Sequence, residues 1–310
     1  MLTNTEEVFG AATEWLSSGH QVELVTVVRT WGSSPRPVGS IAAVRQDGLL
    51  VGSVSGGCVE KQLSESFRGQ HVARTHVHKI DDEQARRFGL ACGGELELVF
   101  ETLSDARPLQ EILTRLAKRQ RVRRSIVVGA TQTDIAEAGR GEQFDWDGNT
   151  LQQVFGPGWR LLIVGAGQLS RYAAEFARTL DYEVIVVDPR EQFLQAWSGP
   201  DVTLLPDSPD EAVLQHATDS HSAVLALSHD PNIDDLALLE ALPGNAFYVG
   251  ALGSTRNYDK RRKRLAGLDV PQAAIDRLHG PIGLSIGSRT SAEIAISIMA
   301  ELIQVRKELV

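Results

Sequence analysis

From residue 160 onward, short apolar segments alternate along the chain with segments of helical spacing. The apolar segments have almost no polar positions, and a strand that is apolar on both sides is buried on both sides, as in a parallel sheet covered by helices. The pattern therefore predicts a doubly wound α/β domain over residues 160–310. The predicted strands are Leu161–Val164, Val184–Val187, Val202–Leu205, Ala223–Leu227 and Phe247–Val249.

A glycine-rich turn connects the first of these strands to the helix that follows it. Gly165 permits a tight turn, and Gly167 lets the backbone approach a phosphate that the free N–H groups of the helix start attract. Asp188 ends the next strand, 23 positions after Gly165, where a carboxylate accepts hydrogen bonds from a ribose. The domain is thus predicted to be Rossmann-like and to bind a phosphate-bearing ligand, and the alternative is a Rossmann-like domain that binds no nucleotide. Ser170 replaces the third glycine of the usual fingerprint, which disfavours ordinary NAD.

Two further strand ends carry polar residues at the edge where parallel sheets bind ligands. His229 and Asp230 follow the fourth strand, and either helix capping or ligand binding explains them. Gly253 and Ser254 follow the fifth strand and favour a phosphate, again at a helix start. The basic run at residues 260–264 is predicted to be a solvated helix face.

The first half of the chain has a different pattern. Residues 1–144 are predicted to form a mixed α/β domain, with an opening helix, a strand near residues 23–30 and another near residues 95–101. Asp47-Gly48 lies between two apolar runs and predicts a tight hairpin turn. Residues 145–159 lose periodicity and contain glycine and proline, so they are predicted to be an interdomain linker.

The two cysteines, Cys58 and Cys92, each adjoin a Gly-Gly pair in this first half. A helix start favours the thiolate form, so Cys58 is a candidate for a reactive thiol or a soft-metal ligand. The alternative is that each cysteine is a small buried residue beside a turn. Two cysteines do not build the disulfide framework of a small secreted domain, and a reducing compartment would keep them as thiols.

Composition excludes several classes of function. The chain has 31 Lys and Arg against 40 Asp and Glu, a net charge of −9, which argues against a general nucleic-acid binder. No apolar run reaches the roughly 18 residues needed to span a bilayer, and the N-terminus lacks the pattern of a signal peptide. We therefore expect a cytoplasmic protein without a membrane partner.

As an ordered set, the short motifs of this chain resemble those of the XdhC/CoxI family, accessory factors for xanthine dehydrogenase and related molybdenum hydroxylases. Each motif is weak alone, but together they cover most of the chain between residues 25 and 305. The motifs are Gly32–Pro37, Gly52–Glu60, Cys92–Gly94, Gly165–Gly167, Asp188–Arg190, Ser228–Asp230, Tyr248–Ser254, Pro281–Leu284 and Glu293–Ala295.

The resemblance implies a homodimeric chaperone that carries molybdenum cofactor, as molybdopterin or its dinucleotide form, and has no catalytic residues of its own. It would protect the cofactor while a cysteine desulfurase supports its sulfuration, and then insert it into a xanthine dehydrogenase-type enzyme. Gln168 stands where family members often carry His. The implied cofactor-binding residues are Gly165, Gly167, Gln168, Asp188, Arg190, His229, Asp230, Gly253 and Ser254. The thiols of Cys58 and Cys92 are implied to bind the cofactor as well, with Cys58 as the candidate contact to molybdenum.

Two other functions remain open on the sequence. An NAD(P)-dependent oxidoreductase would use Gly165, Gly167 and Asp188 for its cofactor and His229 as acid or base. A scaffolding protein would contact the dehydrogenase and the desulfurase without holding the cofactor. Tight binding of NADH or NADPH would distinguish the oxidoreductase from a molybdenum cofactor carrier. Activation of the client enzyme that survives disruption of the glycine turn would distinguish the scaffolding protein.

Overall fold

The computed structural model describes residues 4–31, 36–55, 60, 75–80, 95–130, 132–139 and 142–307. The chain forms two compact units, which divide between Pro157 and Gly158.

The described part of the first unit contains two antiparallel sheets and two helices. One sheet has the strand order β3-β2-β1-β5-β4 and the other has the order β7-β6-β9-β8. The elements are α1 (Asn4–Ser17), β1 (Val22–Trp31), β2 (Ile41–Arg45), β3 (Leu50–Gly52), β4 (Thr75–Ile80), β5 (Glu95–Leu103), α2 (Arg107–Ala117), β6 (Val122–Val127), β7 (Thr133–Glu137), β8 (Asp145–Trp146) and β9 (Thr150–Phe155).

The predicted hairpin around Asp47-Gly48 is confirmed, because β2 and β3 pair in antiparallel fashion on either side of it. Gly48 has φ +90°, a backbone conformation that glycine adopts without steric cost. Above this sheet, Phe9 and Ala12 of α1 pack with Leu109 and Ile112 of α2 in one apolar cluster. Burial of this shared face supports both helices.

A buried polar network lies inside the first unit. The Arg124 side chain is 1% exposed and forms an ion pair with Glu101. Its Nη1 also donates to Gln153 Oε1 at 2.7 Å, and the Gln153 amide in turn donates to Thr26 Oγ1 at 3.3 Å. The network joins β1 and β5 of the first sheet to β6 and β9 of the second, so it fixes how the two sheets pack.

The predicted linker over residues 145–159 is wrong for most of its length. Residues 145–155 form β8 and β9, and β9 pairs with β6 along six residues to complete the second sheet. A hairpin turn at Asp147 and Gly148 joins the two strands, with Gly148 at φ +99°. Asp147 Oδ1 accepts the N–H groups of Asn149 and Thr150, both at 2.7 Å. The glycine and polar residues that suggested a linker are thus turn residues.

The second unit is built on a six-stranded parallel sheet with the order β12-β11-β10-β13-β14-β15. Numbered within the unit, this is 3-2-1-4-5-6, the order of dinucleotide-binding folds. The elements are β10 (Arg160–Val164), α3 (Gln168–Thr179), β11 (Glu183–Val187), α4 (Glu191–Gln195), β12 (Thr203–Leu205), α5 (Pro209–His216), β13 (Ser222–Ala226), α6 (Pro231–Ala241), β14 (Tyr248–Ala251), α7 (Thr255–Gly267), α8 (Gln272–Ile275), β15 (Leu278–His279) and α9 (Ser291–Lys307).

Alternate residues of each central strand face opposite layers of helices. Leu162 and Val164 of β10 belong to an apolar cluster with residues of α5 and α6. Leu161 and Ile163 belong to a second cluster with residues of α3 and α9. The predicted α/β class and the doubly wound Rossmann-like second domain are therefore confirmed. No described helix is both long and apolar enough to cross a bilayer.

Candidate functional site

The glycine turn at residues 165–167 lies where the two central strands of the parallel sheet end. Gly165 has φ +97°, and its N–H donates to the carbonyl of Val187 at 2.8 Å. A Cβ atom on Gly165 would lie 2.7 Å from the backbone nitrogen of Ser228, so only glycine fits. Gly167 caps α3 in an extended conformation, and a Cβ there would meet nothing within 4 Å. The first glycine is required by packing, whereas the second leaves open space at the helix start.

Asp188 holds this turn from the end of β11. Its side chain is fully buried, and Oδ2 accepts the N–H of Ala166 at 2.9 Å. The guanidinium of Arg190 donates to both oxygens, through Nε at 2.9 Å and Nη2 at 2.8 Å, and the backbone N–H of Arg190 adds a further bond at 3.0 Å. The carboxylate predicted to face a ribose is instead directed into the turn, and the partly exposed group at this strand end is Arg190.

The surroundings of Asp188 also set its charge. Burial alone would raise the pKa of this carboxyl, but the bonds from Arg190 and from the N–H of Ala166 outweigh burial. The pKa therefore lies below the usual range of an aspartate. Asp188 is consequently ionised at neutral pH and keeps both the turn and Arg190 in place.

The end of β13 is organised by Ser228 and Asp234. Asp234 Oδ1 accepts the Ser228 N–H at 3.0 Å and its hydroxyl at 2.7 Å. His229 is exposed and has φ +63°, and Asp230 caps α6 by accepting the N–H of Asn232 at 2.9 Å. Capping therefore accounts for the Asp230 carboxylate. Because Ser228 contacts Gly165, Asp234 also fixes the neighbour of the glycine turn.

A buried ion network lies beneath this strand end. Arg261 of α7 is 6% exposed and donates through Nη2 to Asp234 at 3.0 Å, through Nε to Asp235 at 3.1 Å and through Nη1 to the carbonyl of Leu252 at 2.9 Å. Arg264 completes the group by donating to Asp235 at 2.7 Å. The prediction of a solvated face for residues 260–264 is thus wrong for Arg261, because its side chain is buried in ion pairs with Asp234 and Asp235 of α6.

The other two predicted groups lie at the same edge of the sheet. Ser254 caps α7 and accepts the N–H of Asn257 at 3.3 Å, directly after Gly253. Gln168 is exposed at the start of α3, and its Oε1 accepts the hydroxyl of Ser291 at 3.3 Å. The strand ends therefore present the glycine turn, Arg190, His229, Ser254 and Gln168 along one edge, as the topology of a parallel sheet requires.

Glu60 organises the loop before the first cysteine motif, a role that its sequence position did not indicate. Its Oε1 accepts the hydroxyl of Ser53 at 2.7 Å and the N–H groups of Val54 and Ser55, both at 2.8 Å. Its Oε2 accepts the hydroxyl of Ser55. Burial would raise the pKa of Glu60, but these hydrogen bonds lower it to about 2. Cys58 lies in the sequence between the two ends of this clamp.

Replacing Glu60 with glutamine is expected to destabilise the first unit by about 2 kcal/mol at pH 7, since hydrogen bonds to a charged acceptor are the strong ones. Because the native pKa is lowered, the stabilisation is present above the ordinary value of about 4.5 and is lost as the pH falls toward 2. Urea unfolding from pH 7 down to pH 3 measures the difference. Glu111→Gln, in an exposed pair with Arg115, is the matched control and should change stability by less than about 0.5 kcal/mol.

The thiols themselves, Cys58 and Cys92, lie outside the described residues. Within the described ranges, no three His, Cys, Asp or Glu side chains come close enough together to hold a metal ion. The assignment of Cys58 as a molybdenum contact therefore stays a prediction.

A parallel sheet in this order with a glycine turn at its switch point defines a protein of the Rossmann class, and comparison with known proteins gives the family. Residues 161–302 match the XdhC Rossmann domain, and residues 15–81 match the XdhC and CoxI family. The chain belongs to the XdhC and CoxI family.

Relatives cover nearly the whole chain. It is 30% identical to the molybdenum cofactor insertion chaperone PaoD of Escherichia coli, over 95% of this chain and 86% of PaoD. It is 24% identical to a probable subunit of xanthine dehydrogenase from Bacillus subtilis, over 94% of this chain and 95% of the relative. A crystal structure of a xanthine dehydrogenase from Bacillus halodurans covers 99% of this chain and 96% of its own, with a TM-score of 0.74 and 24% identity, which shows a shared fold.

Proposed function

We propose that this chain is a molybdenum cofactor-binding chaperone. It binds the cofactor as cargo, protects it while a cysteine desulfurase supports its sulfuration, and inserts it into a xanthine dehydrogenase-type molybdoenzyme. The observation that carries the proposal is the similarity to a molybdenum cofactor insertion chaperone over 95% of this chain. The chain acts in this proposal as a cytoplasmic homodimeric carrier.

The geometry of the glycine turn suits such cargo. Molybdopterin and its dinucleotide form both bear a phosphate, and the open space at Gly167 lets an anion reach the first N–H groups of α3. Arg190, held by Asp188, supplies a cation at the neighbouring strand end. In this proposal Gln168, His229, Asp230, Gly253 and Ser254 line the rest of the same edge, and the residues bind and shield the cargo without transferring protons.

A role for a thiol completes the proposal. A thiolate is a soft ligand, suited to molybdenum, and Cys58 follows a loop that Glu60 holds by four hydrogen bonds. Cys92 adjoins the second Gly-Gly pair and is the other candidate thiol. If Cys58→Ala leaves cofactor binding and activation of a partner dehydrogenase unchanged, the role of Cys58 is disproved.

The test is an anaerobic retention assay. The purified protein is mixed with isolated molybdenum cofactor and desalted, and molybdenum and pterin are measured per chain. We expect near-stoichiometric retention of both, without competition from NADH. Gly167→Asp places a carboxylate where the phosphate would bind, and we expect it to fold normally and to lose retention, since a side chain there meets no neighbour.

Two outcomes would contradict the proposal. Clear NADH binding without retention of molybdenum or pterin would favour an NAD(P)-dependent oxidoreductase. Full activation of a client dehydrogenase by Gly167→Asp would favour a scaffold that holds no cofactor.

A further inference from the structure

A cleft of about 280 Å³ opens beside the glycine turn, between the first turn of α3 and the segment that follows α4. One wall is formed by Gly167, Gln168 and Arg171, and the other by Ala196, Trp197 and Ser198. The cleft is large enough for a phosphate and part of the group attached to it. Arg171 and Trp197 were not among the residues that the sequence pointed to.

Arg171 has a cationic side chain with no acidic partner among the described residues. Its Nε is buried and makes no hydrogen bond, and the guanidinium carbon lies 4.7 Å from the centre of the Tyr172 ring. Arg171 is also one turn from the start of α3, near the positive end of the helix dipole, where a cation is unfavourable. A buried donor beside a second source of positive charge fits a site that an anion completes.

The opposite wall is shaped around this arginine. A Cβ atom on Gly199 would lie 2.7 Å from Trp197 Cε2 and 2.9 Å from Arg171 Cγ, so the absence of a side chain at Gly199 leaves room for both the indole and the stem of the arginine. The indole N–H donates to the carbonyl of Pro200 at 3.0 Å, which fixes the ring at the cleft. Specific contacts therefore fix the Trp197 wall of the cleft.

The chemistry of the adjacent strand end agrees with an anion. A Rossmann site for NAD offers a carboxylate to the ribose hydroxyls. Here the Asp188 carboxylate is fully buried and accepts four hydrogen bonds from Ala166 and Arg190. The guanidinium of Arg190, over the ring of Phe193 at 4.1 Å, is the partly exposed group at this strand end, and guanidinium groups bind phosphates.

We propose that this cleft is a phosphate subsite, in which Arg171 and the first N–H groups of α3 bind a phosphate of the ligand while Trp197 packs against the group that the phosphate carries. The inference rests on the proposed function for the identity of the cargo, and it deepens that function by assigning the end of the cofactor that is held. Arg171 is accordingly a binding residue.

The direct test uses inorganic pyrophosphate and the whole 310-residue chain in isothermal titration calorimetry. Arg171→Met keeps the length of the side chain and removes its charge, and we expect at least tenfold weaker binding. Arg171→Lys should recover part of the loss, and Gly199→Ala should weaken binding because it displaces Trp197. Lys263→Met, which removes a charge from an exposed position of the same unit, should leave binding within twofold. Circular dichroism verifies that each variant is folded.

A second arm compares retention of molybdenum cofactor before and after alkaline phosphatase, in the monophosphate and dinucleotide forms. The phosphatase should weaken retention of the monophosphate form in the wild-type protein, and Arg171→Met should weaken retention of both forms. Pyrophosphate binding that is absent, or that Arg171→Met leaves within twofold, overturns the subsite. Retention of cofactor without any effect of the phosphatase or of Arg171→Met keeps the proposed function and overturns the subsite. Arg171-dependent pyrophosphate binding without cofactor retention keeps the subsite and overturns the proposed function.

Discussion

Replacing Gly165 with alanine is expected to destabilise the second unit by about 3 kcal/mol or more. The new Cβ would lie 2.7 Å from the nitrogen and 2.8 Å from the Cβ of Ser228, on a residue whose φ of +97° already disfavours side chains. Neither strand end has room to retreat, because Asp188 fixes one and Asp234 fixes the other. Differential scanning calorimetry should show the transition of this unit lowered by roughly 6 to 12 °C.

The matched control is Gly167→Ala, two positions along the same turn. Gly167 has an extended backbone and open space around it, so the change should alter stability by less than about 1 kcal/mol. The same variant should reduce cofactor retention, because the methyl group occupies space that a phosphate approaches. Equal destabilisation by the two substitutions would show that the packing of Gly165 against Ser228 is not what requires the first glycine.

The Rossmann-like half could be predicted because its signals are local. All five residues of β13 are buried and four of them are apolar, so the strand is visible in the sequence without any knowledge of its partners. The glycine turn follows its strand directly, and the need for Gly165 follows from the turn itself. The positions of the strand ends, and with them the edge where a ligand binds, then follow from the parallel order of the sheet.

The predicted linker failed for a different reason. The turn at Asp147 and Gly148 has the same Asp-Gly sequence as the correctly predicted turn at Asp47 and Gly48, and the glycine has a positive φ in both. The strands around the first turn are apolar, whereas β8 has only two residues and β9 carries Gln152 and Gln153. Gln153 is polar but buried, since it pairs with Arg124 from another strand. A polar residue whose partner lies 29 positions away looks like a loop residue in the sequence.

The same limit applies to the roles of the charged residues in the site. Asp188 was predicted at the correct strand end, but whether a carboxylate faces a ligand or the turn depends on the conformation of Arg190 and on the N–H of Ala166. Arg171 sits in an amphipathic helix and gives no signal until Trp197 and Gly199 are placed beside it. Sequence spacing locates strand ends, whereas the direction of each side chain is decided by tertiary contacts.

Arg261→Met is expected to destabilise the second unit by about 3 to 5 kcal/mol at pH 7, since removing one partner of a buried ion pair leaves an uncompensated charge. Asp234, which is fully buried, would lose its cation, and Asp235 would keep only Arg264. The matched control is Arg262→Met on the next position of α7. Arg262 pairs at 2.5 Å with Asp276, whose side chain is 58% exposed, so this loss should stay below about 1 kcal/mol.

The pH dependence of the Arg261→Met defect identifies its cause. Burial raises the pKa of Asp234 in the wild-type protein, although hydrogen bonds from Ser228 and the charge of Arg261 oppose it. Without Arg261 the pKa of Asp234 in the native state rises further. Above the ordinary aspartate pKa of about 4, the native state then keeps a proton that the unfolded state has released, so the free energy of unfolding falls as the pH rises. Urea unfolding should therefore give a smaller defect at pH 5 than at pH 8.

A defect that is equal at both values would mean that Arg261 stabilises the unit through packing of its stem and not through the charge of Asp234. Because Asp234 holds Ser228 against Gly165, a defect of electrostatic origin should also weaken cofactor retention at pH 8 more than at pH 5.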